Sequence, residues 1–132
     1  MAFVAVKITG VDKEGIEKDN SFDIAYKYPL ILSDRPDDLW VKFFHSAYRI
    51  NPYDKKRQYS IIEKRIVVII SGEDNKQQQL DFFKEVVGVA NQHYSDLLQA
   101  KEEEKRKEEA RKKRERERIL EMREETDYLN FS

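Results

Sequence analysis

Residues 66–98 of the chain are IVVIISGEDNKQQQLDFFKEVVGVANQHYSDLL, and the apolar pattern changes within this stretch. Its first five residues, Ile66–Ile70, are all apolar, which is typical of a central strand covered on both faces. From Gln77 onward the apolar residues recur every three or four positions, which predicts an amphipathic helix. The polar segment Ser71–Asn75 predicts a turn that ends in a helix cap. This stretch therefore predicts a buried strand followed by a helix.

The helix is predicted to continue far beyond residue 98. Neither proline nor glycine occurs in residues 89–132, so no strong helix breaker ends it early. Residues 101–118 are all charged except Ala110, and a Glu precedes a Lys or Arg by four positions at 102/106, 103/107, 108/112 and 109/113. Such pairs stabilise an isolated helix. We expect one helix from Gln77 to Thr126, about 75 Å long at the usual rise per residue.

The charged segment, residues 101–118, lacks the pattern of a coiled coil. Continuing the apolar seam of positions 80, 83, 87, 90, 94 and 97 places charged residues where apolar side chains are needed. These residues are Lys101, Glu104, Glu108, Arg111, Glu115 and Arg118. We therefore predict a single solvated helix held by ion pairs. In composition the segment resembles charged single-helix spacers rich in Glu, Arg and Lys.

The tail, residues 119–132, is where large apolar residues reappear after twenty positions without one. They are Ile119, Leu120, Met122, Tyr128, Leu129 and Phe131. One interpretation is a frayed terminus, which is common. Another is a docking element that binds a partner as an amphipathic turn in a groove or as a strand added to a sheet edge. A third is a tail that folds back or packs on a symmetry mate. We take these six residues as the candidate partner-binding residues.

Two segments before residue 66 alternate apolar and polar residues, as half-buried strands do. They are Ala2–Val11 and Phe22–Leu32. Pro29 cannot donate to a neighbouring strand, so we expect the second strand to lie at a sheet edge or to carry a bulge there. The third strand is predicted at Tyr59–Ile70.

A helix is predicted between the second and third strands. Residues 33–38, SDRPDD, combine a capping side chain, an early proline and two carboxylates, which are typical of a helix start. Six apolar residues share one face of this helix: Leu39, Trp40, Phe43, Phe44, Ala47 and Ile50. The helix should end before Pro52, because the residue preceding a proline avoids the helical conformation.

Together these elements predict an α+β fold of order β-β-α-β-α, with a three-stranded sheet and both helices on one face. Residues 1–100 contain 45 of the 52 apolar residues, so they are predicted to form the folded domain. Residues 101–118 form a helical extension continuous with the preceding helix, and residues 119–132 form the tail. The helices leave one sheet face uncovered, and Ile66–Ile70 is apolar on both faces. We therefore expect a buried interface, in a homodimer or a larger assembly.

The sequence contains no pattern typical of a catalytic or ligand-binding site. The absence of cysteine excludes disulfides and thiolate chemistry. Neither histidine has a carboxylate or a second histidine at the i+4 spacing of a metal site, and the four glycines form no phosphate-binding loop. We expect no catalytic residue, no cofactor, no metal and no enzyme activity. The chain starts without a signal-peptide pattern, and its longest apolar run is too short to cross a bilayer, so a cytoplasmic protein with no membrane partner is expected.

Two function classes remain. The first is a non-catalytic protein-interaction or assembly subunit, an adaptor in which the domain docks or self-associates and the helix presents the tail. The second is a nucleic-acid-associated accessory protein that uses the charged helix and the basic loop, residues 51–57. Its candidate contacts are Lys55, Lys56, Arg57, Arg111, Arg114 and Arg118. Phosphate binding favours a contiguous basic surface, whereas an acidic stripe separates the basic residues of this helix, and the net charge is only −1.

Overall fold

A computed structural model describes residues 3–132 of the chain. The fold is α+β, with a five-stranded antiparallel sheet and two α-helices. In chain order the elements are β1 (Ile8–Val11), β2 (Glu17–Lys18), β3 (Ala25–Leu32), α1 (Asp38–Ile50), β4 (Tyr59–Ile62), β5 (Arg65–Ser71) and α2 (Lys76–Asp127), with a short 3-10 helix (Lys13–Gly15) between β1 and β2. Residue Ala2, where the first strand was predicted to begin, lies outside the described residues.

The prediction of a three-stranded sheet is wrong, and its main cause is a turn inside the predicted third strand. The segment Tyr59–Ile70 is a hairpin: β4 and β5 pair antiparallel, with Ile62 opposite Arg65. The turn depends on Glu63, whose φ of 53° lies in the left-handed region that favours glycine. A Glu-Lys pair is not a typical hairpin turn, so the sequence did not reveal it. The short strand β2 lies between the first two predicted strands and accounts for the fifth strand.

The strands are arranged in the order β1-β3-β5-β4, and β2 also pairs with β3. The apolar strand β5 therefore lies between two neighbours, as the uninterrupted run Ile66–Ile70 predicted. Opposite residues in an antiparallel pair share a face of the sheet. The pairs Leu30–Ile66 and Tyr28–Val68 consequently lie on the same face.

Pro29 does not lie in an edge strand, since β3 has neighbours on both sides. On the side away from β5, however, the neighbour is interrupted: β1 ends opposite Leu30, and β2 begins opposite Lys27. The carbonyl of Pro29 accepts from the backbone N–H of Asp12 at 3.0 Å, so its nitrogen faces this same interrupted side. Pro29 therefore lies opposite the gap between β1 and β2, where no paired strand requires a donor from it.

Both helices pack on one face of the sheet, as predicted. Their buried apolar residues are Trp40, Phe44 and Ala47 in α1 and Phe82, Phe83, Val86, Val87 and Ala90 in α2. They form one core with Leu30, Leu32, Ile66, Val68 and Ile70 of the sheet. Burying a large apolar side chain contributes about 1.5–3 kcal/mol, so this layer is the main source of stability.

The side chain of Asn91, in α2, forms hydrogen bonds that link the segment before β1 to both helices. Its Oδ1 accepts from the backbone N–H of Val6 at 3.1 Å and from Nε1 of Trp40 at 2.9 Å. Its Nδ2 donates to the carbonyl of Val6 at 2.8 Å. The amide thus satisfies the indole N–H of a tryptophan that is only 1% exposed.

The ends of both helices follow their capping residues. Asp37 caps α1, and its Oδ1 accepts from the backbone N–H of Trp40 at 2.8 Å. Helix α1 ends at Ile50, before Pro52 as predicted. Asn75 caps α2 by accepting from the backbone N–H of Gln78 at 3.0 Å. Helix α2 spans Lys76–Asp127, which confirms the predicted long helix to within one residue at each end.

Gly88 lies within α2, and a Cβ added there would meet no described atom within 4 Å. Glycine in a helix interior costs about 0.5–1 kcal/mol relative to alanine. We expect Gly88→Ala to raise the free energy of unfolding by about that amount in urea titrations. The exposed neighbour Glu85 supplies the control, since Glu85→Ala should change the free energy by only a few tenths of a kcal/mol. A loss of stability in Gly88→Ala would contradict this reading of the helix.

Candidate interaction site

The chain divides into two units, Met1–Ser95 and Asp96–Ser132, and the tail lies in the second. Helix α2 continues through Ile119, Leu120 and Met122 and ends at Asp127. All six candidate residues of the tail are exposed; the exposed fractions of Tyr128 and Phe131 reach 89% and 86%. The described part of the second unit therefore leaves these apolar side chains in contact with solvent.

Part of the tail forms an apolar stripe along the helix. Ile119 and Met122 are three positions apart and Thr126 follows four positions later, so all three lie on one face. The hydroxyl of Thr126 donates to the carbonyl of Met122 at 2.7 Å, which turns its methyl group outward from the helix backbone. After the helix ends, the backbone N–H of Leu129 donates to the carbonyl of Thr126 at 3.2 Å. The chain therefore keeps a helical turn just beyond Asp127.

The charged segment is helical throughout, and every residue in it is exposed. Its ion pairs centre on Arg111, which binds Glu108 at 2.7 Å and Glu115 at 3.2 Å. The hydrogen bond from Arg111 holds the pKa of the Glu108 carboxyl below its usual value. The four predicted i,i+4 pairs are not within ion-pair distance in the described chain. Long exposed side chains adopt many conformations, and each surface pair contributes little, so spacing does not determine which pair closes.

The basic loop is bound to the folded domain through Arg57. Its guanidinium makes two hydrogen bonds to the carboxylate of Asp74, from Nε at 2.8 Å and from Nη2 at 2.7 Å. Asp74 also accepts from the backbone N–H of Ser71 at 2.9 Å. On its other side the guanidinium lies 5.8 Å from the ring centre of Phe22. Asp74, which belongs to the turn predicted at Ser71–Asn75, thus anchors this loop, while Asn75 caps the helix.

Two further contacts fix the basic loop. The ammonium of Lys56 donates to the carbonyl of Arg49 at 3.1 Å and lies 5.3 Å from the ring centre of Tyr48. The carbonyl of Lys55 accepts from Nε2 of Gln79 at 3.1 Å, while the Lys55 residue is exposed. The side chains of Lys56 and Arg57 therefore hold the loop in place, whereas Lys55 contributes its backbone carbonyl.

The candidate nucleic-acid contacts lie in both units. Lys55, Lys56 and Arg57 belong to the first unit, and Arg111, Arg114 and Arg118 belong to the second. Arg114 and Arg118 are exposed, and Arg111 carries the ion pairs with Glu108 and Glu115. Half of the six candidate residues thus have intramolecular partners for their cationic groups.

The second face of the sheet is an open apolar surface that the helices do not cover. Ile31, Val67 and Ile69 are half-buried there, and Ile62 is 58% exposed. We call these four residues the open sheet face. Two ion pairs involve residues of the same face: Lys27, opposite Ile69, pairs with Glu17 at 3.3 Å, and Arg65, which lies between Ile31 and Ile62, pairs with Asp12 at 3.0 Å. The run Ile66–Ile70 pointed to such a surface, because Val67 and Ile69 are apolar on the side opposite Ile66 and Val68.

Both histidines contact aromatic rings. The exposed side chain of His45 shares a hydrogen bond of 2.5 Å with the hydroxyl of Tyr59, and burial raises the pKa of Tyr59 to about 12. His93 contacts Phe43 edge to face, with 6.0 Å between ring centres. Within residues 3–132, no group of three or more His, Cys, Asp or Glu side chains is arranged to hold a metal ion. The helices in that range also include none with the length and apolarity required to span a bilayer.

Comparison with known proteins yields no relative: no family model, no curated protein and no solved structure matches the chain.

The pair formed by Arg57 and Asp74 should make stability depend on pH. Burial alone would raise the pKa of the Asp74 carboxyl, but the hydrogen bonds from Arg57 and the Ser71 N–H outweigh burial and lower it. A lowered pKa stabilises the folded state above the unfolded value of about 3.9, and this contribution is lost as the pH falls through the folded-state value. We expect Asp74→Asn to lose about 1–2 kcal/mol at pH 7, measured by urea unfolding.

The difference between Asp74→Asn and the unmodified chain should shrink as the pH falls below about 4, because the unfolded chain then begins to bind a proton at residue 74, and it should be lost once the folded-state carboxylate is protonated as well. Asp81→Asn is the control, because Asp81 is exposed on α2 and accepts only from the neighbouring side chain of Gln77. A difference that stayed constant from pH 7 to about pH 3 would rule out the ionic origin.

Proposed function

We propose that this chain is a non-catalytic interaction subunit that binds a protein partner through its tail. The observation that carries the proposal is the exposure of all six large apolar side chains of the tail. Exposed apolar groups gain about 25 cal/mol for each Å² that a partner removes from water. In the proposed role, the charged segment acts as a helical spacer, and the folded domain supplies a second contact.

The charged composition of the preceding segment supports this proposal. Charged side chains remain favourably hydrated without a partner, so the segment requires no covering surface to remain helical. The stripe that begins at Ile119 has the opposite preference, and its spacing matches the anchors with which a helix occupies an apolar groove. The change in composition at residue 119 thus separates a spacer from a contact surface in the proposed role.

The open sheet face is the contact surface that we propose for the domain. It offers apolar side chains interspersed with two ion pairs, and protein interfaces of the non-obligate kind combine apolar and polar groups in this way. In this role it docks on a partner or on a second copy of the domain.

The proposal is tested by capture from an extract of the native host with immobilised full-length chain. One variant removes the apolar tail side chains with the substitutions Ile119→Ala, Leu120→Ala, Met122→Ala, Tyr128→Ser, Leu129→Ser and Phe131→Ser. The control replaces three acidic and three basic residues of the same helix by alanine: Glu102, Glu103, Lys105, Arg106, Lys107 and Glu109. Both variants keep the net charge of the chain, and both alter exposed residues only.

We expect the control to capture the same proteins as the unmodified chain and the tail variant to lose them, as measured by quantitative mass spectrometry. Circular dichroism establishes that both variants remain folded. Equal capture by the folded tail variant would defeat the proposal.

The alternative function, nucleic-acid binding, has less support, since Lys56, Arg57 and Arg111 already have intramolecular partners. We expect no complex with single-stranded or double-stranded oligonucleotides in a mobility-shift assay at about 0.15 M salt. A salt-dependent complex that is lost on replacing Arg111, Arg114 and Arg118 by glutamine would favour the alternative instead.

A further inference from the structure

We infer that the tail binds a second copy of this chain, paired antiparallel along the last part of α2. This inference rests on the proposed function, because it names the partner of the tail. It is argued from the second unit alone, where the apolar stripe and the charges of one helix are described together.

The residues of the apolar stripe are spaced so that two helices could pack side by side along it. The spacing from Ile119 to Met122 and Thr126 is the three-and-four spacing with which two helices pack side by side; its continuation includes the charged positions Lys112 and Glu115 on one side and Leu129, just beyond the end of α2, on the other. Ile119 and Met122 occupy the middle of this series and are 47% and 59% exposed. When Ile119 of one copy faces Met122 of the second, two-fold symmetry repeats the same contact. In this register the two symmetric contacts between Ile119 and Met122 lie next to each other along the pair. The two-fold axis then passes between residues 120 and 121.

The second step is the charge of the two segments on either side of residue 119. Residues 111–118 contain six basic and two acidic residues, whereas residues 119–132 contain one basic and four acidic residues. Parallel pairing would place each segment beside its own copy, so that like charges meet. Antiparallel pairing places the basic segment of each copy beside the acidic tail of the other, which favours this direction.

The third step is the pairing of individual side chains along the flanks of the seam. In the inferred register, Glu125 of one copy lies beside Arg118 of the second, and symmetry repeats this attraction. On the opposite flank, Arg123 lies beside Arg116, which is a repulsion between like charges. The register therefore predicts opposite effects for charge reversal on the two flanks, and an unrelated partner would not reproduce this pattern.

Disulfide trapping tests the direction and the register, because the chain has no cysteine of its own. Glu115 of one copy faces Thr126 of the second in the inferred register. Full-length Glu115→Cys and Thr126→Cys chains are prepared separately, mixed in equal amounts and oxidised. Residue 126 of one copy lies about 16 Å along the axis from residue 126 of the other, at 1.5 Å per residue. That separation exceeds the reach of a disulfide.

We expect the mixture to form a disulfide-linked dimer of one Glu115→Cys chain and one Thr126→Cys chain, identified by its mass, and neither chain alone to form a dimer. The control mixture pairs Lys113→Cys with Thr126→Cys, since Lys113 lies on the side of the helix away from the seam, and it should give no dimer. Dimers from Thr126→Cys alone would show parallel pairing and overturn the inference. Equal yields in the test and control mixtures would show random collision and overturn it as well.

Charge reversal supplies an independent readout by sedimentation of the full-length chain. Glu125→Arg should weaken self-association roughly tenfold, because two attractions become repulsions. Adding Arg118→Glu to that variant should restore it, and Arg123→Glu alone should tighten it by a similar factor. Failure of the double variant to recover would reject the register. If no trapping occurs while the tail still captures a different host protein, the inference fails and the proposed function stands.

Discussion

The burial of one face of α2 against the sheet is the interaction on which the fold depends. Phe83 is fully buried and packs against Phe44 of α1, with 6.3 Å between ring centres, and against Tyr59 of β4, at 6.0 Å. One ring therefore joins both helices to the hairpin that the sequence did not predict. The adjacent ring of Phe82 stacks on Tyr53 at 4.5 Å, which holds the basic loop against the same helix. Because these contacts orient the first half of α2, the polar links through Asn91 and Asp74 are able to form.

Regular periodicity explains which parts of the fold were predictable. The long helix, its cap region, the start of α1 and the central position of β5 all follow from local patterns of apolar and capping residues. The hairpin turn at Glu63 and the short strand β2 do not, because Glu-Lys is not a typical turn pair and a strand of two residues is too short to show an alternating pattern. Pro29 illustrates the same limit: the rule that proline avoids internal strands predicted a sheet edge or a bulge, whereas Pro29 lies in the internal strand β3. The gap in the neighbouring strand that accommodates it is a property of the assembled sheet.

The candidate surfaces also have some features that the sequence predicts and others that it does not. Six large apolar residues that follow a charged segment stand out by composition, so the tail was identifiable from the sequence. The roles of Arg57 and Lys56 were not, because a basic loop has the same composition whether its side chains are solvated or bound to the domain. Asp74 lies seventeen positions from Arg57, and no local rule pairs them. The ion pairs of Arg111 show a further limit, since several partners at suitable spacing compete for one guanidinium and each pair contributes little.

The two halves of α2 satisfy opposite physical requirements with one continuous backbone. In the first half, the helix is stabilised by tertiary packing, as most helices in proteins are. Beyond residue 98 it carries residues of high helix propensity whose charged side chains remain hydrated. A helix of that second kind requires no apolar residue, so the stripe at Ile119 and Met122 adds nothing to the stability of the isolated helix. The reversal of net charge at the same point likewise leaves an isolated helix unimproved. Both features gain a physical purpose when another surface covers the tail, and the adjacent basic segment of a second copy has the complementary charge.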